Sequence, residues 1–282
     1  MAPPLQGKIA IVTGSSRGIG KVLALRLAQE GAGIVVCARS ESQGELPGTI
    51  GETAAAVEAL GRRALPLRLD LASDADIDAV VDRTLGEFGR IDILVNNAVI
   101  VGPRRKFLGG DAEFIDLAYR VNVRGPYRLA ERVSEVMATQ GGGTIVNITS
   151  GAARHPQTPV VAATAAELDT MDPSYGITKA ALDRITTAYA SELKAHNIAI
   201  VSVSPGLVIT ERIQQAAIRR NVAFSRAESP EIIASAVAMI CADGMQYTGR
   251  VLMARDLVSA DLVSAQPVSA QPVSTPPPGG AQ

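Results

Sequence analysis

Tyr175 and Lys179 are the pair of residues whose types and spacing best suit acid–base chemistry. They lie four positions apart, so in a helix they share one face, one turn apart. An ammonium group beside a phenol favours the phenolate, so the pair predicts a Tyr175 pKa below its ordinary value near ~10. Such a tyrosine is a candidate general acid or base at neutral pH. The alternative is an ordinary helix with two surface side chains.

A glycine-rich loop is the second candidate site. Positions 13–20 read TGSSRGIG and lie between an apolar strand pattern and a helical pattern. A helix N-terminus offers unpaired N–H groups and a positive dipole end, which suit a pyrophosphate. In this reading Gly14 permits the tight turn, Gly18 lets the backbone approach the phosphate, and Gly20 permits close packing of helix on sheet. The alternative is a glycine-rich loop that binds no ligand.

The elements that must position these motifs alternate between short apolar strands and helices. Strands are predicted at 8–13, 33–38, 64–69, 91–96, 144–148, 198–203 and 249–253, and helices at 21–30, 49–62, 74–88, 111–139, 173–196 and 230–242. Strands that are apolar on both faces indicate a parallel sheet covered on both sides. We therefore predict an α/β protein with a Rossmann-type doubly wound parallel sheet in a single domain. Its ligand is expected at the carboxyl ends of the strands.

The composition is that of a globular protein and narrows the possible partners. Of 282 residues, 47% are hydrophobic and 20% are charged, with a formal charge of −1. This balance argues against a nucleic-acid partner or a polybasic membrane anchor, and no apolar run is long enough for a membrane span. Two histidines do not predict a metal site. Two distant cysteines, Cys37 and Cys241, in apolar surroundings predict free thiols, and the absence of a signal-peptide pattern adds to the expectation of a cytoplasmic protein.

The end of the chain differs in composition from the rest. Residues 256–275 form four pentads, DLVSA, DLVSA, QPVSA and QPVST, followed by PPPGGAQ. Five residues are too few for a solenoid repeat, and proline recurs in the second half. We expect a dinucleotide-binding catalytic domain at 1–258 and a low-complexity, extended and disordered tail at 259–282. A docked tail strand or partner motif is the alternative.

The motifs, taken together, resemble the classical short-chain dehydrogenase/reductase family over about residues 5–255. The glycine-rich loop and YGITK at 175–179 match its two signatures in order and separation. Further matching positions are Asp70, Asn96-Asn97-Ala98, Asn122, Ser150, Pro205-Gly206 and Thr210. The sequences at 46–50 and 121–125, with Val99, are similar to the hydroxysteroid-dehydrogenase-like branch of that family.

The resemblance implies a catalytic set of four residues. Tyr175 would give a proton to a substrate carbonyl, and Lys179 would lower the pKa of Tyr175 and bind the nicotinamide ribose. Ser150 would hydrogen-bond the carbonyl oxygen and stabilise its developing negative charge. Asn122 would be the helix-kinking residue that anchors a water leading protons to Lys179, or simply a kink.

The resemblance also implies a dinucleotide site. Asp70 would contact adenine, Asn96 and Ala98 the adenosine ribose, and Thr210 the carboxamide, although Asp70 and Thr210 are also plausible helix caps. The full cofactor-binding set is Gly14, Ser16, Arg17, Gly18, Ile19, Gly20, Arg39, Asp70, Leu71, Asn96, Ala98, Tyr175, Lys179, Pro205, Gly206, Val208 and Thr210.

The cofactor is expected to be NADP(H), with NAD(H) less favoured. NAD-selective relatives carry an acid at the end of the second strand, which binds the ribose hydroxyls. Here position 38 is alanine, and Arg17 and Arg39 are both in reach of a ribose 2′-phosphate. The alternative is two solvated surface arginines.

Several positions depart from the family pattern. Val99 replaces a usual glycine, residues 41–48 are extra, and the last strand lacks the usual Asp-Gly-Gly ending. Ser150 and Tyr175 are 25 positions apart, about twice the usual separation. The extra residues within 151–172 are expected to form a substrate gate, or else a passive surface excursion.

We therefore predict an NAD(P)-dependent oxidoreductase that moves a hydride between NADP(H) and a small secondary alcohol or ketone. The alternatives are a 3-ketoacyl thioester reductase and a non-catalytic nucleotide-binding sensor. Family members commonly pair the helices that carry Asn122 and Tyr175, which implies a homodimer or homotetramer. Leu182, Ile185, Ala188 and Tyr189 are the apolar positions expected on that face.

Overall fold

A seven-stranded, all-parallel sheet forms the centre of the protein. The computed structural model describes residues 2–39, 41–42, 44, 46–102, 112–154, 173–220 and 227–264. The strands are β1 (Ile9–Thr13), β2 (Gly33–Ala38), β3 (Ala64–Arg68), β4 (Ile93–Asn96), β5 (Gly143–Ile148), β6 (Ile198–Ser204) and β7 (Val251–Met253). Their order in the sheet is β3-β2-β1-β4-β5-β6-β7, and each neighbouring pair is parallel. The predicted Rossmann-type doubly wound sheet is thus confirmed.

Helices cover both faces of this sheet. They are α1 (Gly18–Gln29), α2 (Ile50–Glu58), α3 (Asp74–Phe88), α4 (Glu113–Tyr119), α5 (Gly125–Thr139), α6 (Pro173–Ala195), α7 (Glu211–Arg220), α8 (Pro230–Ala242) and α9 (Ala254–Ser264). A π-helical turn at Arg120–Arg124 joins α4 to α5. No helix in these described ranges is long and apolar enough to cross a membrane.

Two buried clusters lie on opposite faces of the sheet because successive strand residues point in opposite directions. Val12 and Val36 belong to the cluster that includes side chains of α1 and α8. Ile11 and Val35, their chain neighbours, belong to the cluster that includes side chains of α3 and α5. Burial on both faces explains why the strands are continuously apolar rather than alternating.

Local sequence signals set several helix ends. Thr49 caps α2, and its side chain and that of Glu52 form a reciprocal capping box. The Ser73 hydroxyl accepts a hydrogen bond from Asp76 N and begins α3. Helix α3 ends at Gly89, which has a left-handed conformation (φ 74°) that glycine adopts at little cost.

The structure differs from the sequence predictions at three places. Residues 211–220, where the sequence predicted neither a helix nor a strand, form α7. The prediction of an extended, disordered tail is wrong for 259–264, because α9 continues through these residues. Leu257 and Val258, near the start of this helix, pack against the core. Leu182, expected on an outer face of its helix, is buried. Most of the segment 151–172, which was expected to form a substrate gate, lies outside the described residues, as does the tail beyond 264.

Candidate active site

The carboxyl ends of β1 and β4 are joined by side-chain hydrogen bonds. The Thr13 hydroxyl accepts from Asn97 N at 2.9 Å and Ala98 N at 3.0 Å, and it donates to Val95 O at 3.2 Å. Asn97 Nδ2 in turn donates to Thr13 O at 2.9 Å. These bonds fix the Asn-Asn-Ala segment against the start of the glycine-rich loop.

Two glycines of the loop occupy positions that no other residue fits. Gly14 has φ +67°, and a Cβ there would lie 2.8 Å from Ala98 Cα. A Cβ at Gly20 would lie 2.2 Å from Gly14 O and 2.5 Å from Asn97 Nδ2. The loop therefore forms a tight turn, and the first turn of α1 packs directly against it.

The N-terminus of α1 faces the same region without a side-chain cap. Arg17 is the capping residue, and its side chain makes no capping hydrogen bond. Its Nη2 instead donates to Gly48 O at 2.8 Å, which ties the loop before α2 to the glycine-rich loop. The first backbone N–H groups of α1 are thus available for an anion, as the positive end of a helix dipole favours.

A single large cleft of about 860 Å³ brings most of the predicted site residues together. The predicted residues that line it are Gly14, Ser16, Arg17, Gly18, Ile19, Gly20, Arg39, Asp70, Leu71, Ala98, Ser150, Tyr175, Pro205, Gly206, Val208 and Thr210. Three others, Asn96, Asn122 and Lys179, are buried beneath it. The cleft runs along the carboxyl ends of the strands, where a doubly wound sheet binds ligands.

Ser150 and Tyr175 meet at the floor of the cleft. Ser150 follows β5, and Tyr175 lies in the first turn of α6, so the sheet and the helix bring two distant hydroxyls together. Burial raises the pKa of Tyr175, and a hydrogen bond with Ser150 only partly offsets this. The predicted fall in the Tyr175 pKa is therefore wrong, because burial of the phenol outweighs the stabilisation of its anion.

Lys179 lies beneath Tyr175 and is buried to 3% exposure. Its Nζ donates to Ile148 O at 2.5 Å and lies 5.8 Å from the centre of the Tyr175 ring. Burial lowers the pKa of Lys179 from 10.5 to about 8, although Asp183 raises it in part. The ammonium is thus mainly protonated at pH 7 but held in an environment that disfavours its charge.

Asn122 occupies the π-helical turn between α4 and α5. Its Oδ1 accepts from Ile100 N at 2.8 Å, and its Nδ2 donates to Ile100 O at 2.9 Å and to Thr178 Oγ1 at 3.2 Å. Pro126 has no N–H to bond the carbonyl four residues earlier, which accounts for the wider turn here. Asn122 therefore links the segment after β4 to the helix that carries Tyr175.

Comparison with known proteins gives the family. The sequence pattern described as short chain dehydrogenase matches residues 8–221, well over half of the chain. The chain belongs to the short-chain dehydrogenase family.

Individual relatives agree with this assignment. Dehydrogenase/reductase SDR family member 1 of Mus musculus is 30% identical over 277 residues, which cover 91% of this chain and 82% of the relative. A solved 7α-hydroxysteroid dehydrogenase, in complex with NADH and 7-oxo-glycochenodeoxycholic acid, is 29% identical with a TM-score of 0.71, over 88% of this chain and 93% of that one. L-sorbose reductase of Gluconobacter frateurii, in complex with NADPH and L-sorbose, is 29% identical with a TM-score of 0.76, over 90% and 97%.

Two residues of the short-chain dehydrogenase cleft also have local structural roles. Asp70 Oδ1 accepts from Ala72 N at 3.0 Å, which closes the turn before α3. Thr210 Oγ1 accepts from Ile213 N at 3.4 Å at the start of α7. The capping role considered for Thr210 is present, whereas α3 is capped by Ser73 and not by Asp70. Both Asp70 and Thr210 still border the cleft.

A buried polar cluster in this short-chain dehydrogenase was missed from the sequence. It lies between α6 and the strands β5 and β6, and consists of Asn147, Thr149, Asp183, Thr186 and Ser202. Asn147, Thr149, Thr186 and Ser202 belong to no sequence motif. Only their spacing along β5, β6 and α6 could have identified them as parts of one cluster. Asp183 had a clearer signal, because it lies one helical turn beyond Lys179.

Proposed function

We propose that the protein is an NADP(H)-dependent oxidoreductase that interconverts a secondary alcohol and a ketone. The observation that carries this proposal is the Ser150–Tyr175 hydrogen bond at the floor of the cleft, with Lys179 directly beneath. The cleft also contains the glycine-rich loop and the uncapped end of α1, which suit a dinucleotide pyrophosphate.

The raised pKa of Tyr175 supports a role as proton donor in carbonyl reduction. A phenol whose pKa lies above its ordinary value is protonated at neutral pH and can deliver that proton to a forming alkoxide. Ser150 is placed to hydrogen-bond the same oxygen, and the buried Lys179 ammonium stabilises the phenolate that results. NADPH, when bound, supplies the hydride.

Apolar side chains at the cleft support an apolar ketone as the substrate. Val101 and Leu207 are both 38% exposed, and both line the cleft together with Ile213. Exposed apolar side chains in a cleft are typical of ligand sites. A 3-ketoacyl thioester reductase and a non-catalytic sensor are the alternative predictions. Assays with NADPH and a panel of apolar ketones and ketoacyl thioesters distinguish the ketone oxidoreductase from the thioester reductase. NADPH binding without turnover of any panel member would favour the sensor.

The preference for NADP(H) follows from the charges near the adenosine end of the cleft. Arg17 and the exposed Arg39 both line it, and position 38 offers no carboxylate. We expect Arg39→Asp to lower kcat/KM for NADPH about 10- to 100-fold, because a charge-assisted bond to the 2′-phosphate is lost. The activity with NADH should stay equal or rise.

The matched control for this test is Arg83→Asp. Arg83 is exposed on α3 and does not line the cleft, so the same charge change there should leave both cofactors unaffected. Steady-state kinetics of wild type and both variants with NADPH and NADH provide the measurement. Equal use of NADH and NADPH by the wild type would contradict the proposed preference.

We also propose a homodimer formed through α5 and α6. Tyr127 and Tyr189 pack together across these helices with ring centres 5.7 Å apart, and Tyr189 is 38% exposed. Light scattering is expected to show a dimer at micromolar concentration, weakened by Tyr189→Glu but not by Leu60→Glu, a similarly exposed position beyond α2. A wild-type monomer would refute the proposal.

The two buried free thiols, Cys37 and Cys241, support a reducing compartment. We propose a cytoplasmic location on this basis.

A further inference from the structure

Asp183 lies on the same helix face as the two residues of the signature motif. It follows Lys179 by four positions and Tyr175 by eight, so the three side chains occupy successive turns of α6. Nothing in the proposed proton transfer uses Asp183. A carboxylate placed one turn from a buried ammonium nevertheless acts directly on its charge.

The carboxyl group of Asp183 faces the polar ends of β5 and β6. The hydroxyls of Thr149 and Ser202 favour its ionised form by hydrogen bonding, whereas burial disfavours that form, so the pKa of Asp183 is raised on balance. A half-buried carboxyl whose ionised form is disfavoured by burial is costly, and such a cost is typical of functional sites.

A chain of buried hydrogen bonds fixes α6 at this point against the sheet. Asn96 Nδ2 donates to Asn147 Oδ1 at 3.0 Å, and Asn147 Nδ2 donates to Thr186 Oγ1 at 2.9 Å. The hydroxyls of Thr186 and Ser202 are hydrogen-bonded at 2.8 Å. The chain therefore runs from the end of β4, through β5 and α6, to the strand residue beside Asp183. Its bonds restrict the rotation of α6 about its own axis, so the helix face that carries Lys179 and Asp183 stays turned towards the sheet.

The Lys179 ammonium needs a counter-charge that the catalytic set does not provide. Among the described residues its hydrogen-bond acceptor is Ile148 O, a neutral carbonyl. Asp183 is the acidic group that favours its charged form. The charged groups that act on Asp183 in return are Lys179, from its own helix, and Arg154, from the turn after β5.

We propose that Asp183 is a positioning residue that keeps the buried Lys179 side chain protonated and oriented beneath Tyr175. This role rests on the proposed oxidoreductase function, in which a charged lysine stabilises the tyrosinate after proton transfer. Asp183 acts through Lys179 and does not line the cleft itself. It extends the active site by one helical turn of α6, along the face that carries Tyr175 and Lys179.

The direct test follows the titration of Lys179 rather than turnover. The chain has five lysines, at positions 8, 21, 106, 179 and 194. Labelling lysine with ¹³C at the ε-carbon allows each midpoint to be followed by NMR, and Lys179→Met identifies the Lys179 signal. In wild type, Lys179 should titrate near pH 8. Asp183→Asn should move this midpoint about one pH unit lower, because an opposite charge is lost.

Two further variants separate charge from structure. Asp183→Glu keeps the carboxylate and should leave the Lys179 midpoint closer to wild type than Asp183→Asn does. Asp116→Asn removes an exposed carboxylate of α4 and should have no effect on it. If Lys179 titrates at the same pH in wild type and Asp183→Asn, the proposal is overturned. The same holds if Asp183→Glu and Asp183→Asn shift the midpoint equally.

The kinetic test uses the pH profile of ketone reduction with NADPH. For Asp183→Asn, the pH at which kcat falls on the alkaline side should move lower by the same amount as the Lys179 midpoint. A merely structural role would lower kcat by one factor at every pH, which would overturn the proposal. Because the NMR titration needs no substrate, failure of the proposed oxidoreductase function would not be confused with failure of the Asp183 role.

Discussion

Tyr175→Phe is expected to lower kcat for ketone reduction on the order of 10³-fold, while NADPH affinity changes little. The substitution removes the hydroxyl that would donate the proton and leaves the ring in place. Burial keeps that hydroxyl protonated in the wild type, so its removal takes away the proton source rather than only a hydrogen bond. Ser150 alone then remains to bond the developing oxyanion. Stopped-flow or steady-state assays with a reactive ketone measure the loss.

Tyr189→Phe is the matched control for this variant. Tyr189 lies on the same helix, is 38% exposed, and does not line the cleft, so removal of its hydroxyl should leave kcat within about twofold. NADPH titrations of both variants separate binding from chemistry. Near-normal turnover by Tyr175→Phe would exclude the tyrosine as proton donor. Loss of NADPH binding together with turnover would instead indicate that the hydroxyl is needed to form the cofactor site.

Two residues of the proposed catalytic set, Tyr175 and Lys179, could be predicted from the sequence because they occur in one local motif. The glycine-rich loop could be placed at the first strand–helix junction because an apolar strand pattern precedes it and a helical pattern follows. Tyr175 and Lys179 are on one helix face by spacing alone. The structure adds that Ser150, 25 positions earlier, hydrogen-bonds Tyr175. That contact depends on the position of β5 beside α6, and only the family resemblance indicated it in advance.

The ionisation of the set could not be read from spacing. The spacing of Tyr175 and Lys179 predicts a low pKa for the tyrosine. In the structure, burial instead raises the pKa of Tyr175 and lowers that of Lys179. Burial depends on the whole fold, and for both groups it changes the pKa more than the neighbouring side chains do. Asp183 was missed for the same reason, because its pKa depends on burial and on the hydroxyls of Thr149, just after β5, and Ser202, in β6.

Helix α9 is a second case where tertiary packing produced a structure that the composition did not predict. The pentads that begin at Asp256 have few large side chains, which favoured an extended tail. In the structure Leu257 and Val258 pack against the cluster that also contains Ile233 and Val237 of α8. Two apolar contacts on an existing surface thus stabilise a helix that the pentads alone would not predict.

Lys179→Met is expected to remove both turnover and a distinct pH dependence of stability. Turnover should fall on the order of 10²- to 10³-fold, because no buried cation then stabilises the Tyr175 phenolate. Methionine has a similar length and fills the buried space without a charge. The loss of kcat should therefore not be accompanied by unfolding, which circular dichroism verifies.

The stability prediction follows from the lowered pKa of Lys179. In the folded protein this pKa is about 8, whereas the ordinary value is 10.5, so between these limits the unfolded chain binds more protons. Stability then rises with pH across this window, because the cost of burying the charged form disappears as Lys179 loses its proton. From pH 7 to pH 10 the contribution amounts to about 2 kcal/mol.

Urea unfolding of wild type and Lys179→Met at pH 7 and pH 10 measures this contribution of Lys179 to the free energy of unfolding. The buried thiols of Cys37 and Cys241 have raised pKa values, so they lower stability at alkaline pH, but they do so in both proteins. The difference between the two proteins therefore isolates Lys179. Relative to Lys179→Met, the wild type should gain about 2 kcal/mol between the two pH values. An unchanged difference would mean that Lys179 is not buried as a charged group, and that the tyrosinate has no buried cation beneath it.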